Sequence, residues 1–331
     1  MRRSKITLNL ILQITKSAIK ESPKRKRRGR PRIYPDHLII SLMLYQTLFG
    51  LSMREVLEEA ERVLPKVPSL SDFHYRAKRI PKEVFRKLIA ILAKKFLLSR
   101  KERIRLLLCD GTGFGYKDLY PLRFLRGREV REVSSHVRIV PIVALTEGGK
   151  RVILSASSGG AYASEVKLLL EAMEGIGEFP IEGVFFVGDK CFDCIRVMEE
   201  IEKHGGKPAI KVKETWRKGV RHRLRKQSKR NFEKVGRERY LIESLFGLIK
   251  VKFGSQILVK LREMAERRAL CMIVLYNLRL LLELGEISLL LCSFLLSLPQ
   301  RIFRTASPNT SIWQLKMEVR HFNQIKTNKP E

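Results

Sequence analysis

Two different spacings of apolar residues divide the chain into a helical part and a mixed part. Up to about residue 100, apolar residues recur every three or four positions, which is the spacing of helices that bury one face. From about residue 104 to residue 212, short apolar or β-branched runs alternate with helical patterns, an arrangement typical of a sheet covered by helices. Residues 269–284 are strongly apolar but include Asn277 and Arg279, which favours a buried helix over a membrane span.

Capping residues divide the helical part into short helices. Apolar spacing predicts a helix over residues 5–20 that packs on the body of the protein. Within residues 36–64, Ser52 is an N-cap signal that separates two helices, and residues 68–80 begin with a similar signal. These three helices predict a helix-turn-helix-like module, although small helical bundles share the pattern without binding DNA. A further helix over residues 81–95 leads to the first strand.

The mixed part has a definite order of elements. A helix predicted at residues 164–176 crosses over the sheet, so the strand ending at Asp189 is expected to run parallel to the strand ending at Asp110. The two acids should then lie side by side. The glycine-rich residues 111–116 lack the lysine of a P-loop and are predicted to form a tight turn. Besides these elements, the pattern predicts strands at 137–145, 152–157 and 208–212, a hairpin turn at 147–150, and a helix at 193–204.

Three acids are singled out by their positions in this pattern. Asp110 and Asp189 each end an apolar strand, and Glu243 lies on a helical pattern inside the most basic part of the chain. One such acid alone is more often the cap of a following helix, but the three together predict one metal site. Two magnesium ions acting on a phosphodiester need hard oxygen ligands on rigid supports, about 3.5–4 Å apart. The neighbouring acids Asp118, Glu165 and Asp193 are assigned to turns, caps or solvent.

The charge of the chain indicates the class of its partner. The 66 Lys and Arg residues against 34 Asp and Glu give a net charge of +32, which predicts a polyanion, nucleic acid, as partner. Ribosomal and architectural proteins share such a charge, so it does not identify a reaction. The five cysteines are an odd number and suit a reducing compartment. Cys191 and Cys194 form a CxxC, but a zinc site needs two more ligands, and ordinary buried thiols are favoured. Without a secretory signal, the protein is expected in the cytoplasm, with the nucleoid.

Two basic segments are candidates for DNA contact. Residues 23–32, PKRKRRGRPR, contain a Gly-Arg-Pro core that resembles the minor-groove AT-hook, with a solvated linker as the alternative. Residues 213–234 are predicted to be a loop that follows DNA, in which Trp216 either stacks on a base or packs. The predicted DNA contacts of these segments and of the helical module are Arg28, Arg30, Arg32, Arg76, Arg79 and Trp216.

Three motifs around the acids resemble those of insertion-sequence DDE transposases. They are DGTG at residues 110–113, GDKCFD at residues 188–193, and an Arg, three residues, Glu, six residues, Lys pattern formed by Arg239, Glu243 and Lys250. The second motif departs from the family at Cys191 and Phe192, where Gly and Tyr are more usual. Gly236 stands where some relatives have a Tyr before the Arg. The resemblance extends from about residue 29 to residue 282.

The resemblance implies a fold and an activity. The fold is α/β, an RNase H-like mixed sheet with flanking helices, preceded by a helical DNA-binding region at residues 1–100. The catalytic domain then spans residues 101–284, and residues 285–331 form a tail. The implied activity is binding of the element ends, followed by metal-dependent DNA cleavage and strand transfer.

It also implies a cofactor and partners. Two Mg²⁺ ions, or Mn²⁺, would be held by Asp110, Asp189 and Glu243, while Arg239 and Lys250 meet phosphates from nearly the same face of one helix. The partners are double-stranded DNA, as terminal inverted repeats and as target, and a second copy of the chain in a homodimer. Two alternatives remain: an RNase H-like nuclease without joining activity, and an inactive DNA-binding derivative, which the presence of all three acids disfavours.

Overall fold

The computed structural model describes residues 6–20, 33–117, 122–124, 130–132, 135–214 and 220–283. Contacts group the chain into two units, residues 1–278 and residues 279–331. The elements that position the predicted acids all belong to the first unit. None of the helices in the described ranges is long and apolar enough to cross a membrane.

Within the described residues, five helices precede the sheet, as the apolar spacing predicts. Gly50 ends the second helix in a left-handed conformation with a φ of 73°. Ser52 caps the third: its hydroxyl accepts from the Glu55 N–H, and its own N–H donates to the Glu55 carboxylate. The fifth helix packs on both the first helix and the sheet. Their bounds are α1 Leu8–Lys20, α2 Asp36–Phe49, α3 Met53–Glu61, α4 Leu70–Ala77 and α5 Lys82–Arg100.

The sheet has the strand order of an RNase H-like fold. Its strands are β1 Ile104–Cys109, β2 Thr112–Tyr116, β5 His136–Thr146, β6 Arg151–Gly160, β7 Phe185–Gly188, β8 Lys207–Ile210 and β9 Gln256–Ile257, while β3 Leu122–Phe124 and β4 Val130–Glu132 pair separately. Strands β6, β5 and β1 are successive antiparallel neighbours, and β7 and β8 continue the sheet parallel to β1. The predicted mixed sheet with three antiparallel strands followed by parallel ones is confirmed.

Five more helices flank the sheet in the ranges that the structure describes. The predicted crossover is α6, Glu165–Met173, which packs on β5 and β6 and leads to β7. The predicted helix at residues 193–204 corresponds to α7, which follows one turn of 3₁₀ helix at Lys190–Phe192. The bounds are α6 Glu165–Met173, α7 Ile195–Lys203, α8 Arg223–Val235, α9 Tyr240–Phe253 and α10 Arg262–Glu283.

The prediction of a tight turn at residues 111–116 is wrong, because Thr112–Tyr116 is strand β2. It pairs antiparallel with the first half of β5 and parallel with β9. The glycines favour a turn in the sequence, but in the strand they allow close packing. A Cβ on Gly113 would lie 3.1 Å from the His136 ring, and one on Gly115 would lie 2.6 Å from the Gln256 side chain.

The prediction of a loop over residues 213–234 is also wrong, because most of it is helix α8. Only Leu224 and Ser228 are buried, and the many charged residues around them make the segment resemble a solvated loop although the buried positions have helical spacing. The Ser228 hydroxyl donates to the Ile210 carbonyl at 2.9 Å and accepts from the Ile210 N–H at 2.7 Å. These bonds fasten α8 along the outer edge of β8.

Asn277, the polar interruption of the apolar helix, closes the opposite edge of the sheet. Its side-chain oxygen accepts from the Ile153 N–H at 3.1 Å, and its amide donates to the Ile153 carbonyl at 2.6 Å and to the Ile89 carbonyl at 3.2 Å. The amide thus takes the place of a neighbouring strand beside β6. Unpaired strand edges invite association with other chains, and side chains pair with backbone groups of Ile210 on β8 and of Ile153 on β6.

Asn277→Leu is expected to destabilise the protein by about 2–4 kcal/mol. The change leaves the Ile153 N–H and carbonyl buried without partners, and each such group costs roughly 1–3 kcal/mol. Urea unfolding measures this free energy. Tyr276→Phe removes the 2.8 Å bond to the Arg151 carbonyl and should cost about 1 kcal/mol. Equal effects of the two substitutions would contradict the special role of Asn277.

Candidate active site

The ends of β1 and β7 bring two of the predicted acids together. The strands are parallel neighbours, and Cys109 pairs in register with Gly188. Asp110 and Asp189 are the next residues, so they leave adjacent strands at the same level, about 4.8 Å apart in the hydrogen-bonding direction. Gly188 permits this close packing, because a Cβ there would lie 2.8 Å from the Cys109 sulfur. The predicted side-by-side placement is confirmed.

The Asp110 carboxylate is half-buried and well bonded. One oxygen accepts from the Gly111 N–H at 2.8 Å, and the other lies 2.9 Å from an Arg239 nitrogen. Burial raises the pKa of the Asp110 carboxyl, and the negative charges of Asp189 and Glu165 add to the effect, while the Gly111 N–H and Arg239 oppose it. A cation close to Asp110 therefore stabilises its ionised form.

The third acid, Glu243, is linked to Asp110 through Arg239. Glu243 lies in the first turn of α9, and its side chain is 56% exposed. Its carboxylate is 2.7 Å from the second terminal nitrogen of Arg239, whose first nitrogen contacts Asp110. The ion pair within the helix that the sequence offers as an alternative is thus formed. The same guanidinium, however, also reaches the end of β1, so Asp110 and Glu243 share one positive charge.

These carboxylates suit a hard divalent cation, although the described side chains do not enclose one. Among the described residues, no group of three His, Cys, Asp or Glu side chains surrounds a common point closely enough to hold a metal. Asp110 and Asp189 nevertheless offer carboxylate oxygens from two rigid strands, and Mg²⁺ and Mn²⁺ prefer such ligands. The Arg239 guanidinium lies between the carboxylates of Asp110 and Glu243, so these oxygens already bind a positive charge.

Glu165 is a neighbour of the site that the sequence interpretation missed. It is the first residue of α6, after the N-cap Ser164, and its side chain is 25% exposed. One of its oxygens lies 2.8 Å from where a Cβ on Gly111 would be, and 3.3 Å from an Arg138 nitrogen. Its position in the first turn of α6 agrees with its assignment near a cap, but its contacts also place it beside the Asp110 segment. The contact joins segments more than fifty residues apart, and no local pattern reports it.

Asp193 has a structural role instead of the predicted turn or solvent position. Its side chain is 4% exposed, and its two oxygens accept from Arg225 at 3.0 and 2.8 Å. The Lys213 N–H donates to it as well, at 2.8 Å. Asp193 thereby ties α8 to the segment that follows β7. Asp118 lies outside the described residues.

Asp193→Asn is expected to cost about 3 kcal/mol of stability, because it leaves the guanidinium of Arg225 without its charged partner in a mostly buried position. Glu214→Gln is the matched control. It breaks the pair of Glu214 with Lys229 of α8, whose side chains are 54% and 48% exposed, and should lower the stability much less. Chemical unfolding of both variants measures the difference, and a comparable loss in the two would refute this role of Asp193.

The CxxC cysteines are free thiols. Burial, together with a hydrogen bond to Glu165 and the nearby carboxylates, raises the pKa of Cys191 well above its ordinary value. The neutral thiol is favoured there, whereas metal binding needs the thiolate. This environment agrees with an ordinary thiol at Cys191.

The predicted DNA contacts have different surroundings. Arg76 is 8% exposed and pairs with Asp36 at 2.6 Å. Because its charge is neutralised inside the helical module, its assignment as a DNA contact is not supported. Arg79 is exposed, and its guanidinium lies 3.6 Å from the centre of the Tyr75 ring. Lys250 is half-buried, with its ammonium 5.7 Å from the centre of the Phe114 ring. Arg28, Arg30, Arg32 and Trp216 lie outside the described residues.

Comparisons with known proteins connect this geometry to a family. Residues 134–278 match the model of the transposase DDE domain, a segment that contains Asp189 and Glu243 and begins after Asp110. An uncharacterised protein of Aquifex aeolicus (strain VF5) is 36% identical over 305 residues, which cover 89% of this chain and 92% of that protein.

Two solved transposase structures align with this chain at low sequence identity. The piggyBac transposase, in a synaptic complex with hairpin DNA, aligns with a TM-score of 0.40 and 11% identity, over 95% of this chain and 82% of that one. The Mos1 transposase, in a paired-end complex with the left transposon end, aligns with a TM-score of 0.22 and 11% identity, over 80% of this chain and 85% of that one.

Proposed function

Since the chain belongs to the family of DDE transposases, we propose that it cuts DNA at the ends of its own mobile element and joins the freed ends to target DNA. The observation that carries this proposal is the parallel register of β1 and β7, which places Asp110 beside Asp189. Glu243 is close enough to share a cation with Asp110. One site with these acids serves both hydrolysis and strand transfer, since both reactions displace an oxygen at phosphorus.

Each residue of the site has a separate task in the proposed reaction. Asp110 and Asp189 are the ligands on rigid strand ends, and Glu243 completes the set from α9. The two divalent ions, when bound, activate the attacking water or 3′-hydroxyl and stabilise the leaving oxygen. Rigid placement of the acids matters because in-line attack tolerates little misalignment of the reacting atoms.

Arg239 and Lys250 are the proposed phosphate-binding residues of the site. Arg239 presents a planar guanidinium that can bind two oxygens of a phosphate at once. Its present partners are the carboxylates of Asp110 and Glu243, both of which are also proposed metal ligands. Metal and phosphate would therefore bind to the same group of side chains. The carboxylates would bind the metal, and Arg239 would bind the phosphate.

The proposed partners are double-stranded DNA and a second copy of the chain. A net charge of +32 makes nucleic acid binding favourable irrespective of sequence. Because an element has two ends that must be cut and joined together, a homodimer is the proposed working form. We also propose the division into a DNA-binding region at residues 1–100, a catalytic domain at 101–284 and a tail at 285–331.

An assay with the element ends tests this function. Purified protein is incubated with Mg²⁺, a linear DNA carrying the flanking terminal inverted repeats, and a supercoiled target plasmid. The proposal expects cleavage at the repeats and covalent joining of the ends to the plasmid. Cleavage without joined product would favour the nuclease alternative, and binding without either reaction would favour the inactive derivative.

A further inference from the structure

Helix α8 carries a row of three exposed cations, Lys226, Arg230 and Lys234. They are four residues apart, so they lie within a sector of about 80° on the helix surface. The buried residues Leu224 and Ser228 project from the other side, where Ser228 binds β8. The row, called the α8 stripe below, therefore points away from the sheet.

The α8 stripe differs from the other cations of the helix in having no acid partner. Arg223 pairs with Glu202 at 2.9 Å, Arg225 with Asp193 at 2.8 Å, and Lys229 with Glu214 at 2.6 Å. Within the part of the chain that the structure describes, no acid lies at ion-pair distance from the three stripe residues. The exposed acid Glu233 borders the stripe on the side of Lys229. The fold thus neutralises one set of α8 cations and leaves the other set available.

The α8 stripe leads directly to the candidate active site. The helix ends at Val235 and continues through one turn of 3₁₀ helix, Gly236–Arg239, into α9. Arg239 contacts Asp110, and Glu238 in the same turn pairs with Arg105 of β1. Ser228 binds Ile210, which is in register with Gly188 next to Asp189, so the Lys226 end of the stripe lies at the level of the acids, and Lys234 lies five residues from the arginine of the site.

We propose that the α8 stripe binds the phosphate backbone of the DNA duplex beside the bond to be cut. The inference rests on the proposed function, because it takes the acids as the place of cleavage. From Lys226 to Lys234 the helix rises about 12 Å, which matches three to four phosphates at roughly 3.4 Å each along one strand. Long cationic side chains that meet only phosphates read no base, so this contact is independent of sequence.

The salt dependence of DNA binding tests the proposal. The variant Lys226→Gln/Arg230→Gln/Lys234→Gln is compared with the wild-type chain on a labelled duplex of arbitrary sequence, between 50 and 200 mM salt. Each lost phosphate contact lowers the slope of log affinity against log salt by about 0.9. The loss of affinity over this range should therefore be roughly 40-fold smaller in the variant. Glutamine has nearly the same helix propensity as lysine and arginine, so folding should persist.

A matched control separates the stripe from net charge. Lys94→Gln/Lys203→Gln/Lys229→Gln removes the same three charges from positions paired with Glu178, Glu200 and Glu214. For this control variant, the slope of log affinity against log salt should stay within about one unit of the wild-type slope. An unchanged slope in the stripe variant, or an equal fall in both variants, would overturn the proposal. Cleavage of terminal repeats by the wild-type chain is measured in parallel, so that failure of the catalytic function is seen separately from failure of the stripe.

Discussion

Asp110→Ala, Asp189→Ala and Glu243→Gln are each expected to reduce both DNA cleavage and strand transfer to background. A metal held by fewer ligands is bound less firmly and is no longer positioned for in-line attack. Binding of element ends should survive, and without magnesium it should tighten slightly, because a negative charge facing phosphate is removed. Gel assays of cut and joined products, beside an end-binding assay, measure the two effects.

The three variants should remain folded. Carboxylates that are clustered without a metal repel one another, so the loss of one need not destabilise the protein. Arg239 loses one partner when Asp110 or Glu243 is changed, but its side chain is 30% exposed, and the cost should not exceed about 1 kcal/mol.

Glu178→Gln is the control for these variants. Its side chain is 80% exposed and pairs with Lys94 on α5, so full activity is expected. Glu165→Gln decides between two candidates for the third ligand, since Glu165 also lies beside the Asp110 segment. If Glu243→Gln cuts DNA at the wild-type rate while folded Glu165→Gln is inactive, the assignment of Glu243 is wrong.

Affinity for DNA is expected to fall roughly 10³–10⁵-fold between about 50 and 200 mM salt. This magnitude follows from neutralisation of about six to ten phosphates, each of which releases condensed counterions when a Lys or Arg binds it. The exposed cations of α8 and the basic residues 23–32 are the expected sources. Fluorescence anisotropy with a labelled duplex measures the effect.

Comparing duplexes with and without the terminal repeats separates sequence-independent DNA binding from recognition of the repeats. Both should show nearly the same steep dependence, because phosphate contacts carry no sequence information. An affinity that changes less than tenfold over this range would show that electrostatic contacts to the backbone are not the main source of binding.

The relative position of Asp110 and Asp189 could be predicted from the sequence because it depends on topology alone. Each acid follows an apolar strand, and a helix with a clear period forces a crossover between them. Once the strands are parallel neighbours, the acids must lie at the same edge. The observed pairing of Cys109 with Gly188 follows from this strand order and does not depend on side-chain contacts.

The errors arose where long-range contacts replace local signals. The glycines of strand β2 predict a turn, whereas in the fold they leave space for the side chains of His136 and Gln256. The charged composition of helix α8 favours a loop, whereas hydrogen bonds of Ser228 to the edge of β8 hold the segment as a helix. In both cases, the stabilising partner is distant in sequence.

Of the contacts made by Arg239 in the site, the sequence predicts the local one but not the long-range one. The ion pair of Arg239 with Glu243 follows from helical spacing, and the spacing is visible in the sequence. The second contact of Arg239, to Asp110, joins α9 to β1 and depends on how the helix packs. The burial of Arg76 against Asp36 depends on packing in the same way, so the sequence could not separate it from an exposed arginine such as Arg79.

The most direct test of the three-acid site is to locate Mn²⁺ by anomalous scattering in crystals of the wild-type protein with DNA of the element end. The account predicts manganese peaks at the ends of β1 and β7, in contact with the carboxylates of Asp110 and Asp189, and one of them also in contact with Glu243. Peaks bound by Glu165 in place of Glu243, or the lack of any peak at Asp110 and Asp189 while the DNA is in place, would contradict it.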